Sequence, residues 1–153
     1  MTANATDTTG ERLALRSSLS DLARVSPWIE HLAAQCAISD NTQFAMNLCL
    51  EEVLSNVIRH GYAGEQGRPI LVQFASSPRD GYFTFVIEDE APLFDPLAAP
   101  ELSIQRSLDD ARIGGNGIRL LRQFADTLEY QSTPTGNRLT MGFRAADSAA
   151  AVD

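Results

Sequence analysis

A chain of 153 residues that is 44% hydrophobic carries enough apolar surface for one compact domain with a real core, and is short for two. Its formal net charge of -8 excludes a protein that lives on phosphate-backbone contacts, because nonspecific nucleic-acid affinity comes from Lys and Arg neutralising phosphates. No apolar run reaches the length that spans a bilayer, and the N-terminus MTANATDTTGER lacks the apolar core of a signal peptide. The chain therefore reads as cytoplasmic, without direct nucleic-acid or membrane partners.

Residues 1–10 are small and polar and 146–153 are Ala-rich, so both read as flexible tails around a single domain over 11–145. Arg12 to Arg16 alternates Leu13 and Leu15 with charged or small neighbours, which suits a strand with one buried face. A helix follows, capped by Ser20 or starting near Ser26 so that Pro27 falls in its first turn, and carrying Leu22, Val25, Trp28, Ile29, Leu32 and Cys36. SDN at 39–41 opens a second helix, which Gly61 ends. RPILVQF and YFTFVIED are apolar, β-branched and aromatic runs joined by SSPRDG, a hairpin signal. Glu90 to Ile113 is roughly two dozen residues with Pro92, Pro96 and Pro100 and weak periodicity, the character of a functional lid. GGNGIRLLRQFAD is a Gly-rich turn into an amphipathic helix, and TLEYQS and RLTMGF close the chain as two strands joined by TPTGN. Cys36 and Cys49 have no metal-ligand spacing and read as buried thiols.

Three features carry possible chemistry. In LEEVLSNVIRHGY, Met46, Leu50, Val53 and Val57 form an apolar stripe, with Glu52, Asn56 and His60 at successive i, i+4 steps along its edge. Such a file is either a solvated helix rim or the wall of a pocket. The glycines at 114, 115 and 117 either make a bend or let backbone N–H groups approach phosphate at a helix N-terminus. Asp89, ending an apolar strand, either caps a turn or accepts a hydrogen bond from a ligand amine. Spacing alone leaves each pair of readings open.

Taken in order, E-x-x-x-N on a helix, D-x-x-x-x-F-D-P after a hairpin and G-G-x-G-I opening a helix resemble the GHKL-type ATPase domain. More narrowly, EEVLSNVIRHGY, EDEAPLFDP and GGNGIRLLRQFAD resemble the anti-sigma-factor serine-protein kinases of bacterial partner-switching systems, over about Arg12 to Phe143. The resemblance implies an α/β two-layer sandwich: a mixed, mostly antiparallel sheet with helices on one face. It implies Mg²⁺ and ATP as cofactors, with Asn56 on the metal, Glu52 as general base toward a serine hydroxyl, and Asp89 on the adenine amino group. Gly115 and Gly117 would hinge the lid and present N–H groups to the phosphates, with Arg112 a cationic partner. Ala91 and Leu93 stand where the family often has glycine, or glycine or proline, so the turn under the base is expected to be tighter or differently shaped. For His60 and Tyr62 the expectation is a structural role, and for Glu51 solvated charge. Whether Thr140 or Asn137 reaches the nucleotide stays open.

The implied function is an ATP-dependent serine/threonine-protein kinase. It would phosphorylate a STAS-domain antagonist and sequester a sigma factor or another regulatory target, with a homodimer formed through the N-terminal strand and helix near Trp28. The alternative within the same fold is a nucleotide-binding interaction module that transfers no phosphate. The ATP-binding half of a histidine kinase is disfavoured, because no phosphoacceptor-helix module precedes this domain in the chain.

Overall fold

The computed structural model describes residues 9–77, 81–93, 95 and 116–145. The expected lid at 90–113 falls outside them except for 90–93 and 95, as do Arg112, Gly115 and the C-terminal tail. The first strand, β1, spans Thr9–Arg16 and so includes the last two residues of the expected N-terminal tail.

Alternation sets the sheet. Leu13 and Leu15 of β1 point inward while Arg12, Ala14 and Arg16 stay exposed. The same period of two continues in β2 (Pro69–Ser77), which buries Ile70, Val72 and Phe74, and in β3 (Tyr82–Asp89), which buries Phe83, Phe85 and Ile87. β4 (Thr127–Ser132) and β5 (Asn137–Arg144) form the closing hairpin. The strand order is β1-β2-β3-β5-β4, and the mostly antiparallel sheet expected is antiparallel at every described pairing.

The first helical region is two helices, where the sequence suggested one. α1 (Leu19–Leu22) is capped by Ser18, whose hydroxyl accepts from the Asp21 N–H, so the cap is Ser18 and not Ser20. α2 (Val25–Cys36) admits Pro27 in its first turn, where a missing N–H costs nothing, and buries Val25, Ile29, Leu32 and Ala33. Trp28 is half-buried with its ring edge on Phe85 at 6.0 Å, which gives it a core role. Ser39 caps α3 (Asp40–Asn56) by accepting from the Thr42 N–H at 3.2 Å. α4 spans Asn116–Phe124. These helices and the inward sheet residues share one apolar core, so the helices cover one face of the sheet. Phe85 is its hub, with Phe74 at 5.1 Å and Phe143 at 6.1 Å. Cys36 and Cys49 are free thiols. Among the described residues no helix is long and apolar enough to cross a membrane.

One correction concerns the end of α3. Gly61 does not stop it with a left-handed residue; the chain instead widens into a π-helical turn at Val57–Gly61, closed by the Tyr62 N–H to the Val57 carbonyl at 2.7 Å. Positive φ appears only beyond it, at Ala63 and Gly64.

The turn between β4 and β5 packs hard against the end of β3. A Cβ at Gly136 would lie 2.0 Å from the Asp89 carbonyl oxygen, which is fixed backbone. Gly136→Ala is expected to lower the unfolding free energy by about 2 kcal/mol or more, read as a lower urea midpoint with an unchanged slope. A midpoint equal to that of the wild type would show that this contact is loose.

Candidate functional site

The alternation that fills the core also delivers a carboxylate to its edge, because Phe83, Phe85, Ile87 and Asp89 share one face of β3. Asp89 is only 8% exposed. Its Oδ1 accepts from the Ala91 N–H and from Asn137 Nδ2, each at 2.9 Å. Burial raises its pKa above the ordinary 3.8, and these two donors oppose the rise without cancelling it. Both donors use Oδ1, so among the described residues Oδ2 remains available to a ligand donor.

Asp89 lines a narrow cleft between the sheet and the helices, a cavity of about 30 Å³. Val53, Val57, Ile87, Leu121 and Leu139 give it apolar walls. Asp89, Asn137 and Tyr130 place polar groups at one end, and Asn56 adds an amide from α3.

Two atoms on successive turns of α3 are conspicuous. Asn56 Oδ1 and Glu52 Oε2 are buried and have no hydrogen-bond partner among the described residues. An unpaired buried polar atom costs free energy, so each has the character of a ligand-facing group. Asn56 lines the cleft, whereas Glu52 borders a neighbouring surface groove with Ser55, Arg59 and Leu120. Asn47 Oδ1 is a third such atom, on the opposite flank of α3, and the structure offers no account of it. Glu51 is exposed, as a solvated charge would be. His60 leaves the file that spacing suggested: the π turn breaks the i, i+4 progression after Asn56, and His60 is exposed. Cys49, beside Glu52, is no nucleophile, since burial and then the Glu52 carboxylate push its thiol up to about 12.

Ala91 is buried, and its methyl lies 3.1 Å from where a Gly61 Cβ would be. It does not line the cleft; it fills space that Gly61 leaves empty and gives its N–H to Asp89. Gly61 is thus required by close approach, not by its φ. Tyr62 holds the same region from behind, donating its hydroxyl to the Pro69 carbonyl at 2.6 Å and accepting from the Glu90 N–H at 2.7 Å. Gly117 lies in the first turn of α4.

Tyr130 was not singled out by sequence, and the choice between Asn137 and Thr140 was left open. The period of two in RLTM would have placed Asn137 inward with Leu139 and Met141 and turned Thr140 outward, which is the observed arrangement. Tyr130 shares a side of β4 with Leu128, a weaker signal on an edge strand.

A carboxyl with a raised pKa stabilises the fold only while protonated, so its contribution is complete below 3.8 and is lost as pH rises through the raised value. Asp89→Asn is therefore expected to be more stable than the wild type at neutral pH, with the difference vanishing as pH falls through that window. Urea unfolding at a series of pH values reads this; a variant less stable at every pH would contradict it.

Residues 15–143 match the Histidine kinase-like ATPase domain. The chain is 33% identical over 114 residues to a protein of Bordetella bronchiseptica named serine/threonine-protein kinase BtrW, covering 74% of this chain and 79% of that one. In three dimensions it is similar to the histidine kinase domain of a blue-light activated histidine kinase from Erythrobacter litoralis, with a TM-score of 0.50 and 19% identity over 86% of this chain. This chain spans 62% of the length of that structure, and the likeness concerns the fold. The antiparallel sheet with helices on one face, the acidic end of β3 and the match over most of the length agree: the chain belongs to the histidine kinase-like ATPase domain family.

Proposed function

We propose that this protein is an ATP-dependent serine-protein kinase. It would act in the cytoplasm on a STAS-domain antagonist and hold a sigma factor or another regulatory target according to the antagonist's phosphorylation state. The observation that carries the reading is a pair of buried oxygens on α3 without a partner among the described residues: Oδ1 of Asn56, a residue that lines the cleft, and Oε2 of Glu52, a residue one turn back that borders an outer groove. That arrangement suits transfer between a small molecule in the cleft and a protein docked outside it. The relationship to a kinase at 33% identity supports the same reading.

Asp89 supplies an acceptor for an adenine amino group through Oδ2, while the apolar walls of the cleft take the ring faces. Asn56 would hold Mg²⁺ through Oδ1, a hard neutral oxygen of the type this ion takes alongside phosphate oxygens and water. Among the described residues no group of three His, Cys, Asp or Glu side chains could hold a metal unaided, so the ion would arrive with the nucleotide. Bound Mg-ATP supplies the phosphoryl group and neutralises its charge. Glu52, with an unpaired carboxylate oxygen, would take the proton of a serine hydroxyl presented from the groove. Gly115 and Gly117 would let backbone N–H groups approach the phosphates, with Arg112 as a cationic partner.

Incubation with Mg-ATP and a STAS-domain protein from the same genome, followed by intact-mass measurement, tests the assignment. Glu52→Ala should slow transfer by about 10²–10⁴-fold and leave ATP affinity intact. Asn56→Ala should weaken Mg-ATP binding by about tenfold, with little effect on ATP in the presence of a chelator. Full transfer by Glu52→Ala would remove the base. Tight ATP binding by the wild type with an unaltered antagonist mass would instead identify a nucleotide-controlled interaction module.

A further inference from the structure

Hydrogen bonds run in series from the edge of the sheet into the cleft. Tyr130 on β4 donates its hydroxyl to Asn137 Oδ1 on β5. Asn137 Nδ2 then reaches Asp89 Oδ1 on β3 at 2.9 Å, and the carbonyls of Ala91 and Pro92 at 3.2 Å each. The amide orientation is fixed by the other three partners, because a flipped Asn137 would set its oxygen against three acceptors. Tyr130, Asn137 and Asp89 all line the same cleft.

We propose that Tyr130 and Asn137 are positioning residues that hold Asp89 as a pure hydrogen-bond acceptor and so make the cleft select a 6-amino over a 6-oxo purine. The inference rests on the nucleotide reading above and adds to it the residues that set base choice. An ionised carboxylate accepts and cannot donate, so it fits an exocyclic amine and repels a carbonyl oxygen; a protonated carboxyl can donate to that carbonyl. Burial drives Asp89 toward the protonated form, and the Asn137 amide is the larger of the two donors that resist it, ahead of the Ala91 N–H. Other ionisable groups nearby are Tyr62, Glu90 and Arg68; the Arg68 guanidinium sits over the Tyr62 ring at 5.0 Å, so it is engaged elsewhere. Without Asn137, Asp89 moves toward the state in which the two purines are no longer distinguished.

The test is calorimetric titration of the wild type, Asn137→Ala and Tyr130→Phe with Mg-ATP and with Mg-ITP, its 6-oxo counterpart. The wild type should prefer ATP, and Asn137→Ala should lower the ATP-to-ITP preference by about tenfold. Tyr130→Phe, which keeps the ring and its packing, should lower it in the same direction by about threefold. Since ATP needs ionised Asp89, the pH below which ATP binding fails should move upward in Asn137→Ala. Equal losses for both nucleotides with an unmoved pH limb would mean that the two residues only support the fold, and would overturn the inference. A wild type that prefers ATP while both variants keep its preference overturns the inference alone. A wild type that binds neither nucleotide overturns the nucleotide reading together with it.

Discussion

The register of β3 against β5 is the constraint on which the site depends. It sets Phe83 opposite Phe143, Phe85 opposite Met141 and Ile87 opposite Leu139, and the next pair in the same phase is Asp89 opposite Asn137. A slip of one residue would turn all the buried members outward at once. Each large apolar side chain contributes about 1.5–3 kcal/mol by burial, so the core dictates the register. The Glu88–Arg138 pair on the outer face, at 2.6 Å and partly exposed, adds about 0–1 kcal/mol at most. The polar contact between Asp89 and Asn137 is therefore positioned by hydrophobic packing that lies beside it, and does not have to assemble itself.

Against that rigid frame, the groups with chemical potential are the ones the fold holds at a loss. Among the described residues Asp89 is buried without a cation beside it, and Glu52 and Asn56 each keep a buried oxygen unpaired. All three lie at or near the ends of elements, where backbone geometry can change without tearing the core: Asp89 ends β3, and Asn56 is the last residue of α3 before the π turn. Tyr62 secures that region by bonding both Pro69 at the start of β2 and Glu90 just past β3, tying the two strand ends together.

Most of the elements were legible because each has an undisturbed period: two in the hairpin from Pro69 to Asp89, about 3.6 through Met46, Leu50 and Val53. Asp89 and Asn56 were legible as residues too polar for their neighbours. The π turn was not, since no residue in VIRHG marks a change from i+4 to i+5 bonding, and extending the regular helix carried His60 into the file. Nor did local pattern reveal the Tyr130–Asn137–Asp89 series, which exists only across three paired strands. Ala91 was read as a departure that would reshape the turn beneath the base, and the structure gives its methyl a place elsewhere, because its meaning depends on Gly61, thirty positions away in sequence and adjacent in space.

That last adjacency links two positions into a single unit of volume. The space between the end of the π turn and the start of the loop after β3 holds one methyl group, supplied by Ala91 and withheld by Gly61. Neither position is free to grow alone, whereas an exchange of the two side chains would leave the total unchanged. Homologous chains should accordingly show the two sites covarying, with glycine at one tolerated alongside a small side chain at the other. A chain carrying glycine at both would trade close packing for a looser joint at the edge of the cleft.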